Sequence, residues 1–99
     1  MKILFLSRSN SCRSQIAESI LRQMDSHLEI YSAGLEPESR IEPIAIEVMA
    51  EIGIKIEEKK PERFEKYASM EFDFLITVGD VTPEELHLPE VKANRKMHL

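Results

Sequence analysis

The sequence predicts an α/β domain built on a parallel, four-stranded sheet. Three observations predict it. Two apolar runs, "ILFL" and "FDFLITV", suit strands covered on both faces, as parallel strands are. Between them, apolar residues twice recur at helical spacing. The resulting alternation of strand and helix gives a parallel sheet with right-handed crossovers.

Each element follows in order. Residues 2–6 read as the first strand, because Ile3, Leu4, Phe5 and Leu6 are all apolar. From Ser14 on, Ile16, Ala17, Ile20, Leu21 and Met24 mark the inner stripe of a helix, with Glu18, Arg22 and Gln23 facing outward. "LEIYSAG", residues 28–34, is a second strand ending in a turn, and "EPESRIEP" is a polar loop. Pro43 suits the first turn of a helix that runs to about Ile52 and is closed by Gly53. "IKIEEKK" is extended, and Pro61 opens a brief helix through Tyr67, with Phe64 and Tyr67 turned inward. Residues 72–78 give the strongest strand signal. Asp80 reads as a turn residue, Thr82-Pro83-Glu84-Glu85 as a capped turn, and "KANRKMHL" as a final strand.

Composition narrows the function classes. The chain has 99 residues, enough for one domain with one core spanning positions 1–99. Its net charge of −5 argues against binding a phosphate backbone, so no nucleic-acid partner is expected. No apolar run nears the about 20 residues of a membrane helix, and "MKILFL" is too short for a secretory signal. The one cysteine, Cys12, cannot form an internal disulfide, which fits a reducing cytoplasm. No cofactor and no metal are expected: His87 and His98 lack clustered ligand company, and the run "EEKKPERFEK" reads as a solvated face.

The informative stretch is "SRSNSCRS", residues 7–14, lying between a buried strand and a helix. In parallel sheets, ligands bind beyond the carboxyl ends of the strands. A helix start presents unpaired backbone N–H groups and the positive end of the dipole. A tight loop can aim more N–H groups into a nest for an anion. Ser7, Arg8, Ser9, Asn10, Ser11, Cys12, Arg13 and Ser14 are therefore the expected anion-binding residues. Arg13 offers a planar fork for two oxyanion oxygens, and Arg8 sits to guide anions at the rim. Asn10 tolerates left-handed backbone, and Ser11 and Ser14 can donate hydroxyls. No nucleotide P-loop is present, because the loop has no glycine.

"SNSCRSQIAE" resembles the start of the low-molecular-weight protein tyrosine phosphatases and the thioredoxin-coupled arsenate reductases, and is closer to the reductases. "SAG" at residues 32–34, "EPIAIEVMAEIGI" at 42–54 and "FDFLITV" follow in the family's order. The resemblance implies a three-layer, flavodoxin-like sheet in the order 2-1-3-4, here short at the C-terminus and lacking the last helix. It implies that residues 7–13 bind phosphate, arsenate or sulfate, with Arg13 gripping the oxyanion. Asn10 would fix the backbone and Ser14 would hold and activate the nucleophile. Asn10, Glu18 and Ser32 resemble positions that some reductases use to brace the loop or hold potassium.

Against that pattern, Ser7 stands where the family carries its nucleophilic cysteine, and a serine hydroxyl without a base is a weak nucleophile. Cys12, next to Arg13, reads as a small buried thiol. Two relay cysteines are absent after residues 72–78, and so is an Asp-Pro general acid. The main expectation is thus a catalytically impaired oxyanion binder, a pseudoenzyme with Ser7, Arg13 and Ser14 in the catalytic positions. One alternative is an active phosphatase or arsenate reductase whose natural form carries cysteine at position 7. Another is a ligand-free interaction module. Without a closing helix, apolar residues of the first and third strands should be partly uncovered, for a second copy or a protein partner to cover.

Overall fold

The computed structural model describes residues 1–56, 58–79, 81 and 91–99. The turn expected at Asp80, the capped turn at residues 82–85 and His87 lie outside them. The elements are β1 (Lys2–Ser7), α1 (Arg13–Met24), β2 (Glu29–Gly34), α2 (Pro43–Glu51), a single 3₁₀ turn (Phe64–Tyr67), β3 (Glu71–Thr77) and β4 (Lys92–His98). All strand pairs are parallel and the order is β2-β1-β3-β4, as expected. Of the segment 54–60, expected to be extended, the described residues 54–56 and 58–60 lie in no strand.

Register places the site. Ser7 lies opposite Gly34, Phe5 opposite both Ser32 and Ile76, and Leu6 opposite Thr77. The carboxyl ends of β1, β2 and β3 therefore finish side by side. Alternation sends Leu4 and Leu6 to one face, packed with Leu75, Phe72 and Tyr67, where Tyr31, Tyr67 and Phe72 form an aromatic cluster. Ile3 and Phe5 point to the other face, against Ala17 and Leu21 of α1.

A third cluster joins the helices: Ile41, Ala45, Met49 and Ile56 pack with Cys12 and Ile16. Pro43 starts α2, and Gly53, at φ 83°, turns the chain out of it. On β1, Ile3 and Phe5 are buried because α1 covers them; Phe74 and Ile76 of β3 are only half-buried and Met97 of β4 is 46% exposed. Among the described residues no helix is long and apolar enough to cross a membrane.

Two expectations about α1 are corrected. Glu18, expected outward, is 4% exposed, whereas Ile20 and Met24, expected inward, are exposed. The reason lies in the site, where α1 turns polar groups inward.

Candidate oxyanion site

The loop after β1 is held from outside by its carbonyls. Those of Ser7, Arg8, Ser9 and Ser11 accept the backbone N–H groups of Leu35 (3.0 Å), Glu36 (2.7 Å), Glu38 (3.0 Å) and Glu42 (2.8 Å). The Cys12 carbonyl accepts from Ile16 N, 2.9 Å away, as the first turn of α1 forms. The Asn10 carbonyl accepts from Gln15 Nε2 at 3.1 Å. With the carbonyls of residues 7–12 engaged outward, the peptide planes turn their N–H groups the other way. Among the described residues, the N–H groups of Ser9, Ser11 and Cys12 donate to no backbone carbonyl.

Asn10 is the hub. It has φ 50°, the left-handed value its short polar side chain tolerates, and it is fully buried. Its N–H donates to Ser7 Oγ (2.9 Å) and its Nδ2 to Ser14 Oγ (2.8 Å). Its Oδ1 accepts from Gln15 Nε2 (3.1 Å) and from the Glu62 N–H (2.8 Å). The Ser7 and Ser14 hydroxyls are 2.7 Å apart. Since Ser14 Oγ already accepts from Asn10, its own hydrogen is free to point at Ser7 Oγ. The oxygen of Ser7 then takes two donors, an arrangement that favours negative charge there.

Two glycines set the close approaches. A Cβ on Gly34 would sit 2.9 Å from the Arg8 carbonyl oxygen and 3.0 Å from Asn10 Cβ, so β2 can meet the loop only through glycine. Gly79 has φ 75°, and a Cβ there would lie 2.8 Å from a terminal nitrogen of Arg13. The guanidinium thus rests over the chain leaving β3, at the exposed start of α1. Arg8 pairs with Glu36 at 3.8 Å on the rim. The structure therefore brings residues 7–14 together.

The sequence reading missed Gln15, Lys59 and Glu62. Gln15 is 1% exposed and also donates to the Lys60 carbonyl at 3.3 Å. The run read as a solvated face is tied to α1 through Lys59 and Lys60 and to the loop through Glu62. A signal was present: Ser14, Gln15 and Glu18 repeat at helical spacing, a polar stripe beside the apolar one.

Behind the loop lies a cavity of about 320 Å³, lined in part by Gln15, Glu18, Ser32, Lys59 and Tyr67. Burial holds the Tyr67 hydroxyl above its ordinary value, so it stays a neutral donor. The potassium position implied by the resemblance falls here, and the residues do not fit it. The Glu18 carboxylate already takes the Lys59 ammonium on Oε2, Arg22 Nε at 3.1 Å, and the Ser32 hydroxyl on Oε1 at 2.6 Å. Among the described residues, no group of three or more His, Cys, Asp or Glu could hold a metal.

The expectation that the nucleophile is lost to Ser7, leaving a pseudoenzyme, is corrected. The loop retains a thiol: Cys12 is its last residue, half-buried at the N-cap of α1 and directly before Arg13. It is not the sealed core thiol expected, although it touches the Ile41 cluster. A thiol at the positive end of a helix is a nucleophile-bearing position, so impairment does not follow from Ser7.

Comparison with known proteins agrees with this geometry. The family model described as low molecular weight phosphotyrosine protein phosphatase matches residues 2–99, a span that runs through the loop and Cys12. The glutaredoxin arsenate reductase of Synechocystis sp. is 35% identical over 78 residues, 78% of this chain and 59% of its own length. An arsenate reductase of Staphylococcus aureus is 32% identical over 95 residues, 95% of this chain and 70% of its own. A solved arsenate reductase in the phosphate binding state superposes with a TM-score of 0.78 at 29% identity, covering 99% of this chain and 74% of that one. The chain thus spans about three-fifths of the Synechocystis relative. With loop, sheet order and sequence in agreement over residues 2–99, the chain belongs to the low molecular weight phosphotyrosine protein phosphatase family, whose general chemistry is that of tetrahedral oxyanions.

Proposed function

We propose that the chain is an active oxyanion-processing enzyme of the phosphatase and arsenate reductase type. Phosphate or arsenate would sit in the cup of residues 7–14. The observation that carries this reading is the outward engagement of the loop carbonyls, which leaves the N–H groups of Ser9, Ser11 and Cys12 without a backbone acceptor among the described residues and available to an anion. In this reading those amides and Arg13 neutralise the three equatorial oxygens, with Arg13 forming two parallel bonds. Arg8 draws anions to the rim, and Ser14 holds the hydroxyl of Ser7.

Two nucleophiles are available, the Cys12 thiol and the doubly hydrogen-bonded Ser7 hydroxyl. Either would attack the phosphorus of a monoester, breaking the P–O bond to the leaving alcohol, which takes up a proton. Water would then release phosphate and restore the side chain. These 99 residues carry one cysteine, so arsenate reduction would need a second thiol from outside them.

The test has two stages. Phosphate and arsenate should raise Tm in wild type and not in Arg13→Ala. Turnover of an aryl phosphate should then be lost in either Cys12→Ser or Ser7→Ala, which identifies the nucleophile. No Tm response to either oxyanion, or turnover unchanged in both variants, contradicts the proposal.

A further inference from the structure

The geometry points to Lys59 as a tethered cation that braces the loop from behind, in the place of an exchangeable ion. The inference rests on the fold and needs no catalytic turnover. A carboxylate as deeply buried as Glu18 cannot remain charged without partners. Ser32 and Arg22 supply two, but the Arg22 side chain is half in solvent, and its guanidinium is shared with the Ile30 carbonyl. The Lys59 side chain is 29% exposed, and its ammonium is the donor that comes from outside α1 and β2.

Its position in the chain gives that contact its reach. Ile56, 1% exposed, anchors the segment in the helix–helix cluster, and Lys59 N closes a turn on the Ile56 carbonyl at 3.0 Å. One residue after Lys59, the Lys60 carbonyl accepts from Gln15, which also holds Asn10. Two residues further, Glu62 donates to Asn10 Oδ1, and its carbonyl accepts from Gly34 N at 2.8 Å. Lys59 on Glu18 thus fixes the segment that fixes Asn10, making it a positioning residue for the cup. Gln15, which lines the cavity, gives a second sign of an unmet donor, since its Oε1 is buried with no hydrogen-bond partner among the described residues. Shortening the lysine would leave Glu18, Ser32 and this oxygen facing one space, a setting for a monovalent cation or a small ammonium ion.

The experiment compares Tm and phosphate affinity in potassium chloride, ammonium chloride and choline chloride at one ionic strength. Wild type and Lys59→Arg should show the same Tm in all three salts. Lys59→Ala should lose on the order of 10 °C in choline and bind phosphate about tenfold more weakly. Potassium or ammonium should restore a large part of both losses, which a merely structural role for the lysine would not produce. Lys59→Gln carries the same comparison should the alanine variant not fold. Three results would overturn the assignment: wild type stabilised by potassium as strongly as the variant, a variant with unchanged Tm, or a loss that no small cation restores. Because Tm is read without oxyanion, failure of phosphate to bind wild type would count against the proposed function alone.

Discussion

Helix α1 carries two stripes, and the fold treats them against their hydropathy. Ser14, Gln15, Glu18 and Ser19 are buried, while Ile20 is exposed and Met24 is 76% exposed. The apolar stripe packs against the sheet at Ala17 and Leu21 and against the Ile41 cluster at Ile16, and its remaining members face outward. The polar stripe is drawn in because the loop before the helix leaves carbonyl and hydroxyl groups that must be met away from water. Gln15 meets Asn10, Ser14 meets Ser7 and Asn10, and Glu18 meets Ser32. At Ser14, Gln15 and Glu18, burial in this helix therefore follows hydrogen-bond demand at the carboxyl ends of the strands, whereas the Ser19 hydroxyl is buried with no partner among the described residues.

The largest blow to that difference should come at the hub. Asn10→Ala removes three side-chain hydrogen bonds and puts alanine at φ 50°. It should cost about 3 kcal/mol in chemical denaturation. Asn10→Gly keeps the backbone freedom and loses only the bonds, so the gap between the two variants separates strain from hydrogen bonding. Next comes Gln15→Met, which makes the buried stripe more apolar at nearly constant volume. Hydropathy alone would make it stabilising; the loss of a donor to Asn10 and Lys60 should instead cost about 2 kcal/mol.

Gly79→Ala acts on the mouth of the cup. A strained φ of 75° and the displaced Arg13 should cost about 1 kcal/mol of stability, and phosphate protection should fall by more than the stability loss explains. The smallest effect is expected on the exposed stripe, where Met24→Lys should change stability by no more than about 0.5 kcal/mol. A large loss there would mean that the apolar stripe is covered in solution, and the contrast between the stripes would vanish.

Much of the fold was legible because it rests on apolar periodicity. The runs at residues 3–6 and 72–77 lie in strands, Pro43 and Gly53 bound the second helix, and the parallel pairing follows from the alternation, while the strand order was implied by the family resemblance. The loop's left-handed residue was legible because Asn10 is a type that tolerates the φ of 50° it adopts. Glu18 was misread because a charged residue on a helix is ordinarily solvated, and its partners, Ser32 and Lys59, lie far off in sequence. Lys59 and Glu62 were hidden inside a charge run whose pattern carries no sign of a tertiary contact. The chemistry was misjudged by reading Cys12 as a small buried thiol, when it stands half-buried in the same loop at the N-cap of α1.

The central claim is that the loop amides and one guanidinium converge on a tetrahedral anion. Phosphate titration followed by amide NMR tests it directly. The account predicts saturable downfield shifts and slowed exchange for the N–H groups of Ser9, Ser11 and Cys12, together with the side-chain N–H of Arg13, while α2 stays unchanged. Phosphate that leaves those signals in place, or that moves only surface lysines, would contradict it.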